Sequence, residues 1–235
     1  MQAGCKTIAP GFHLILAILL ILNYLNLRPK TARPIQCAFE GAFTNCPNLK
    51  DVGFARLKTI SIGAFQNAFI GCQSLKALNF PKVEQIGYLS FKNCGIREIS
   101  CPLATIINSE AFVGSSLISA NFAAAGVIEQ EAFHDCKNLS EIKLPSAHFI
   151  GVQCFAGCTS LKTINLPRFN FLGEMIQTHM FALSSLTDIY LPAMSINEWN
   201  SRDEIVFNKL GVTSLDFGIP SGCRLHFSDG VVTVQ

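Results

Sequence analysis

Ten cysteines, five histidines and 16 acidic residues are the side chains of this 235-residue chain that bear reactive groups. The densest grouping is His134-Asp135-Cys136, which brings together an imidazole, a carboxylate and a thiol. Those are the parts of a nucleophile, its base and a group that orients the base. Three consecutive side chains on one turn cannot converge on a single substrate atom, so the trio is not read as a site. Cys154 and Cys158 form a C-x3-C pair. Zinc requires two further ligands at matched spacing, and none stands out. His13, His148, His179 and His226 share no spacing, and the neighbouring carboxylates Glu129 and Glu131 are more simply solvated on a turn. The chain contains no glycine-rich phosphate loop, no H-E-x-x-H and no G-x-S-x-G. It is therefore expected to be non-enzymatic, with no catalytic, cofactor-binding or metal-binding residues and no cofactor.

Composition narrows the partners. The 18 basic and 16 acidic residues are spread along the chain and leave a net charge of +2, which creates no long-range field for nucleic acid. With 49% hydrophobic and 14% charged residues, disorder is excluded.

Half of the cysteines obey a repeat instead of a disulfide framework. They fall three residues after a phenylalanine column that runs Phe43, Phe69, Phe91, Phe112, Phe133, Phe155 and Phe181, with a base period close to 22. The column three residues on reads Cys46, Cys72, Cys94, Ser115, Cys136, Cys158 and Ser184. Serine at two of its places suits a small interior side chain and would break a required disulfide or metal set. Cys37 and Cys223 lie outside this column, near the two ends.

After each Cys or Ser comes a Leu-x-x-Leu-x-Leu pattern, as in Leu75/Leu78/Phe80, Leu139/Ile142/Leu144 and Leu161/Ile164/Leu166. The last of these patterns is Val212/Leu215/Phe217. Pro81, Pro102, Pro145, Pro167 and Pro192 close the strands, because proline cannot donate to a ladder. One short strand cannot bury its apolar face alone, so successive strands must stack in parallel, about 4.8 Å apart. An Ile-Gly-x-x-Ala-Phe segment returns across the other side, either as a helical turn or as extended chain. Its Phe fills the interior, and a small neighbour (Ala42, Ala68, Ala111, Ala132) lets coils approach. Steps of 26 residues imply insertions near 60–66 and 173–178.

The L-x-x-I-x-L-P and I-G-x-x-A-F-x-x-C sequences over residues 36 to about 218 resemble the BspA-like class of leucine-rich repeats. The fold expected is a repeat solenoid: a right-handed β (or α/β) solenoid of about eight short repeats, with parallel strands on its concave face. Members of that class are often surface proteins that adhere to host proteins or cells, and the resemblance implies a similar role here.

Three regions follow. Residues 1–34 comprise the apolar run FHLILAILLIL (12–22), weaker continuation to Leu27, and a linker with Arg28, Lys30 and Arg33. Runs of this length are more often signal-peptide cores than spans, so export or tethering through residues 12–27 is expected, the alternative being a helix that caps the first coil. Residues 35–218 form the array. In 219–235, Ser228-Asp229-Gly230 between two apolar runs reads as the turn of a C-terminal β-hairpin cap.

The polar positions between the leucines face outward. Candidate ligand contacts are Asp51, Asn79, Glu98, Asn121, Glu141, Lys143, Asn165, Asp188, Tyr190 and Asp216, with Lys50, Lys76, Arg97 and Lys162 along one edge. Asn138-Leu139-Ser140 is the one glycosylation sequon. The expected function is capture of a protein or glycan ligand by a secreted or cell-surface module, or alternatively protein binding by a cytoplasmic scaffold. Ligand and oligomeric state are open at this level.

Overall fold

The computed structural model describes residues 39–54, 56–169, 179–195 and 218–234. The apolar N-terminal run, Cys37, the insertion expected at 173–178 and the unit at 212–217 with Asp216 lie outside the described residues.

The Leu-x-Leu segments form short strands whose middle residue points inward and whose flanking residues point out. These are β2 (Ala77–Asn79), β4 (Glu98–Ser100), β6 (Ser119–Asn121), β8 (Glu141–Lys143), β10 (Thr163–Asn165) and β11 (Asp188–Leu191). β2, β4, β6 and β8 pair in parallel, with Leu78, Ile99, Ala120 and Ile142 in register. β10 and β11 pair in the same sense, with Ile164 opposite Ile189. The next rung is β12 (Arg224–Phe227), parallel to β11, and β13 (Val231–Thr233) folds back antiparallel to β12. The C-terminal hairpin thus continues the ladder directly from β11. Among the described residues six of the eight expected units form strands of this kind; the first unit (49–54) forms none, the unit at 212–217 lies outside the described residues, and β12 is the rung next to β11.

The return segments are extended. β1 (Thr59–Ile60), β3 (Gln85–Ile86), β5 (Ile106–Ile107), β7 (Val127–Ile128) and β9 (Phe149–Ile150) form a second parallel ladder in which Ile60, Ile86, Ile107, Ile128 and Ile150 stack. No helix occurs among the described residues, so the solenoid is of the β kind.

Corners between strands are i to i+3 turns. Each proline that closes a strand is the second residue of one of them: Val83 N–H donates to Phe80 O around Pro81, and Ala147 N–H to Leu144 O around Pro145. At the Phe corner, Cys94 N–H reaches Phe91 O, and Cys136 N–H reaches Phe133 O. The third residue of that corner has positive φ, at Asn93 (53°), Gly114 (65°), Asp135 (55°) and Gly157 (73°). Glycine, asparagine and aspartate adopt this conformation at least cost, which explains their recurrence before the Cys/Ser column.

The aromatic register differs from that expected in the first two coils. The stack runs through Phe39 and Phe65, not Phe43 and Phe69: Phe39–Phe65 centroids are 5.0 Å apart and Phe65–Phe91 5.1 Å apart. It continues through Phe91–Phe112 (4.9 Å), Phe112–Phe133 (5.1 Å), Phe133–Phe155 (5.4 Å) and Phe155–Phe181 (5.9 Å). Phe43 and Phe69 stack on each other (4.9 Å) in a second, short column. The cause is the ladder of isoleucines, which puts Phe65 five residues after Ile60, as Phe91 is after Ile86. The extra residues of this coil therefore follow Phe65 and do not lie at 60–66. The small residue beside the column is correspondingly Ala64, and not Ala68.

Candidate binding face

The exposed positions of β2 to β12 form two columns at fixed rungs. In one, Ala77, Glu98, Ser119 and Glu141 lie side by side, and Thr163, Asp188 and Arg224 continue the pattern. In the other, Asn79, Ser100, Asn121 and Lys143 are followed by Asn165, Tyr190 and His226. Asn79, Glu98, Glu141, Lys143, Asn165 and Tyr190 are exposed and Asn121 is half-buried. Asp51 is also exposed, on the unpaired first unit. Lys143 Nζ lies 3.2 Å from Glu141 Oε1, an open ion pair worth little in stability. Lys50, Lys76, Arg97 and Lys162 are exposed along the edge.

Asp188 is different. It is only 5% exposed, although it occupies an outward position. Its carboxylate accepts from Arg224 Nη2 at 2.9 Å and from Thr187 Oγ1 at 3.0 Å, while His226 Nε2 lies 2.7 Å from Oδ1. Arg224 Nε is 2.8 Å from Oδ1, so the guanidinium grips both oxygens. Arg224, then His226 and Thr187, hold the Asp188 carboxyl well below the usual carboxylate range, and the same contact raises Arg224. Tyr190 stacks on His226, with centroids 4.2 Å apart and planes 13° from parallel. Asp188 therefore pins β12 to β11, and the groups turned toward a ligand there are Tyr190, His226 and the free edge of Arg224.

Arg224 and His226 are members of this face that the repeat pattern alone does not single out. The signal for them is nevertheless present: Arg224-Leu225-His226-Phe227 alternates with the same period as Asp188-Ile189-Tyr190-Leu191. Reading residues 219–235 as a separate hairpin sets those positions apart from the repeats.

The reactive side chains do not meet. Cys136 is fully buried, and its thiol donates to Phe112 O at 3.1 Å. Burial pushes that thiol up to about 12. His134 Nδ1 faces Glu131 Oε2 at 3.8 Å, and Asp135 covers the backbone of Gly157 in the next coil. Glu129 Oε2 accepts from Ser109 N at 2.9 Å and Oγ at 3.0 Å, which ties two coils together. All eight described cysteines are free, and all but Cys46 are buried. Cys158 Sγ donates to Phe133 O at 3.2 Å, and Cys72 Sγ to Phe43 O at 2.7 Å. The column also holds hydroxyls: Ser115 Oγ lies 3.3 Å from Cys136 Sγ, and Ser184 Oγ is buried with no partner among the described residues. Cys154 is likewise buried, beside Phe155, and desolvation raises both it and Cys158 far above ordinary thiols. Among the described residues no group of three His, Cys, Asp or Glu side chains is placed to hold a metal ion. Asn138 is exposed, and Ser140 Oγ donates to Ile118 O at 3.2 Å.

Coils of about 22 residues, an inward Leu-x-Leu ladder and a stacked aromatic interior define a leucine-rich-repeat solenoid of the all-β kind. The chain belongs to the BspA type leucine rich repeat region family, which matches residues 36–124, 65–175 and 105–218 in six copies. Such arrays serve generally as non-enzymatic scaffolds for protein interaction. Among solved structures, the chain is similar to a leucine-rich repeat protein from Bacteroides ovatus, with 20% identity and a TM-score of 0.41. That alignment covers 81% of this chain and 52% of the other, so the chain spans about half the length of its relative. No curated protein sequence matches the chain.

Proposed function

We propose that this chain is a secreted or surface-tethered module that captures a protein or glycan ligand on its Leu-x-Leu strand face, in the service of adhesion. The observation that carries this reading is the pair of exposed columns. They hold carboxylates, amides and Lys143 at fixed rungs about 4.8 Å apart and end at the Tyr190–His226 stack beside Arg224. A polar ladder of this kind suits many modest contacts, and an aromatic at one end supplies the anchor that tends to dominate an interface. Glu98, Asn121, Glu141, Lys143 and Asn165 would supply the polar contacts, with Asn79 and Asp51 toward the first coil. Asp188 would act through Arg224, and Asp216 remains a candidate outside the described residues. Asn138 is the candidate for glycosylation during export.

The apolar run at 12–22 supports export or tethering, and it lies outside the described residues; among those, no helix is long and apolar enough to cross a membrane. A cytoplasmic scaffold is the second reading, favoured by eight unpaired thiols in the described chain. Protease treatment of intact cells carrying a C-terminally tagged copy separates the two. Digestion of the tag from outside is expected. Protection until lysis would overturn surface display and leave the scaffold reading. For the face itself, ligands found by a glycan array and a panel of cell-surface proteins are to be retested with Tyr190→Ala and Glu141→Ala. Tyr190→Ala should weaken capture by at least about tenfold, as for an aromatic anchor. Unchanged capture by both variants would remove this face from the function.

A further inference from the structure

The sequence column of cysteines divides in the structure. Cys94, Ser115, Cys136 and Cys158 follow the main aromatic stack, three residues after Phe91, Phe112, Phe133 and Phe155. Cys46 and Cys72 follow the short second stack of Phe43 on Phe69, at the enlarged corners of the first two coils. Gly95 N–H donates to Ala68 O, and a Cβ on Gly95 would meet the Phe69 carbonyl carbon at 2.6 Å. Cys94 therefore lies beside Ala68, four residues before Cys72. That leaves Cys46 as the described thiol in register with Cys72.

The register between these two coils is 26 residues on both sides of the pair. Phe43 lies on Phe69 at 4.9 Å, Asn45 N–H donates to Ile70 O at 2.7 Å, and Ser74 N–H donates to Pro47 O at 3.2 Å. A Cβ on Gly71 would stand 3.4 Å from Asn45 Cα, so the two backbones abut one residue before the cysteines. Each cysteine opens the same corner, with Leu49 N–H on Cys46 O and Leu75 N–H on Cys72 O. In-register neighbours on parallel rungs are about 4.8 Å apart, inside the roughly 4.4–6.8 Å between Cα atoms that a disulfide spans. Both thiols are free here and donate to carbonyls, Cys72 Sγ to Phe43 O at 2.7 Å and Cys46 Sγ to Thr44 O at 3.7 Å. Burial raises the Cys72 thiol, with smaller and opposed effects of the Cys46 backbone and the Cys46 thiol, so the two groups are within reach of each other. Access sets the pair apart from the rest. Cys46 is half-buried, whereas Cys94 and Cys136 are fully buried and their thiols are pushed up to about 12.

We infer that Cys46 and Cys72 form a disulfide when the chain meets a disulfide oxidant, which fastens the first coil to the second. The Cys46 thiolate attacks one sulfur of the oxidant, oxidised glutathione or a protein disulfide; a mixed disulfide forms and one thiol leaves. The Cys72 thiolate then attacks Cys46 Sγ and expels the second thiol. The two cysteine protons pass to the leaving thiolates, and the two electrons reduce the oxidant to a pair of thiols. The bond belongs at this corner because residues 49–54 form no strand, so the first coil lacks the ladder that ties β2 to β4. An oxidising compartment closes the pair and a reducing one keeps it open. This goes beyond ligand capture and stands whether or not the strand face binds.

The test is oxidation of the folded full chain in mild detergent with oxidised glutathione, then alkylation in denaturant and mass mapping of linked peptides. A Cys46–Cys72 link is expected, with Cys94, Cys136 and Cys158 still free. Cys72→Ser should hold Cys46 as a stable glutathione adduct, since no second thiol expels it, and Cys46→Ser should leave Cys72 reduced. Phe39, Gly41 and Asn45 donate across to Ala64 O, Gln66 O and Ile70 O. Amide exchange at these three should slow at least about tenfold on oxidation and recover on reduction. A Cys46 link to Cys37, to Cys94 or to a second chain, or a lasting glutathione adduct on the wild type, would overturn the pairing. Unchanged exchange with the link formed would overturn the fastening of the first coil.

Discussion

Leu183 occupies a backbone position that the other coils give to glycine, asparagine or aspartate. In ladder register the column reads Gly41, Asn67, Asn93, Gly114, Asp135, Gly157 and Leu183, with φ of 62°, 56°, 53°, 65°, 55°, 73° and 55°. A left-handed conformation costs a residue with an ordinary Cβ roughly 1–2 kcal/mol. Leucine is poorly suited to it, and Leu183 is 85% exposed, so its side chain contributes almost no burial to offset the strain. Leu183→Asn keeps a Cβ, supplies a side chain that bonds locally in this region, and should stabilise by about 1 kcal/mol. For 150–250 residues that is about 2–4 °C in Tm, or less if the final coil frays before the rest. Gly114→Ala is the opposite perturbation in the same column. Its new Cβ would sit 2.6 Å from Asn93 Oδ1. The Asn93 side chain can swing aside, so the cost that remains is backbone strain of about 1–2 kcal/mol. Thermal and urea unfolding of both variants, with hydrogen exchange across 179–195, reads the two effects. If Leu183→Asn is neutral while Gly114→Ala is also neutral, positive φ does not select the residues of this column, and the turn argument fails.

Other consequences are sharp enough to measure. Ser90 is fully buried, its Oγ has no partner, and its column neighbours are Ala64 and Ala111; Ser90→Ala should stabilise by about 1 kcal/mol in urea titration, and a loss would show a hidden partner. Among the described cysteines, iodoacetamide at neutral pH should label Cys46 first in the native protein and reach Cys94, Cys101, Cys136, Cys154 and Cys158 only on unfolding; mass mapping that finds Cys136 labelled natively would contradict its burial. Folding depresses the Asp188 carboxyl below its ordinary value of 3.8, so its contribution is complete above that pH and drains away as pH falls through the lower folded value. Exchange of β12 and β13 amides, normalised to the central coils, should accordingly rise in acid, and Asp188→Asn should remove that acid dependence and loosen the hairpin at neutral pH.

Much of this architecture is readable from residue spacing, because each coil repeats a full set of constraints. Strand, proline turn and Cys/Ser column recur together, so their order is over-determined. The aromatic register at the first two coils is not readable in this way, for a local reason. Residues 64–69 contain Ala-Phe twice, four residues apart, and either phenylalanine fits a period near 22 when only one dipeptide is aligned. The decision is made by Ile60, which pairs with Ile86 and carries Phe65 into the stack. Periodicity in sequence also cannot tell an outward position that meets solvent from one that meets the neighbouring rung. Asp188 has the place of Glu98 and Glu141 in the pattern, yet Arg224 and His226, 36 and 38 residues on, close over it.

That distinction bears on where a ligand can be read. Interior columns are held to Phe, Ile, Leu or small residues by stacking, and the corner column of Asn93, Gly114, Asp135 and Gly157 is held by φ. The two outward strand columns change type from coil to coil, as Ala77, Glu98, Ser119 and Glu141 do on one side and Asn79, Ser100, Asn121 and Lys143 on the other. At β11 and β12 one of these columns is diverted into holding the hairpin, while the other presents the Tyr190–His226 pair. The face thus has a polar stretch from β2 to β10, whose contacts are individually weak, and a rigid end where Asp188 fixes Arg224 beside Tyr190 and His226. A ligand that engages both must lie along the solenoid axis, spanning successive rungs and not a single coil. Alanine substitution should then show it: losses at Glu98, Glu141 and Tyr190 would be distributed over rungs, with the largest at Tyr190, whereas a partner docking at one coil would respond at one rung alone.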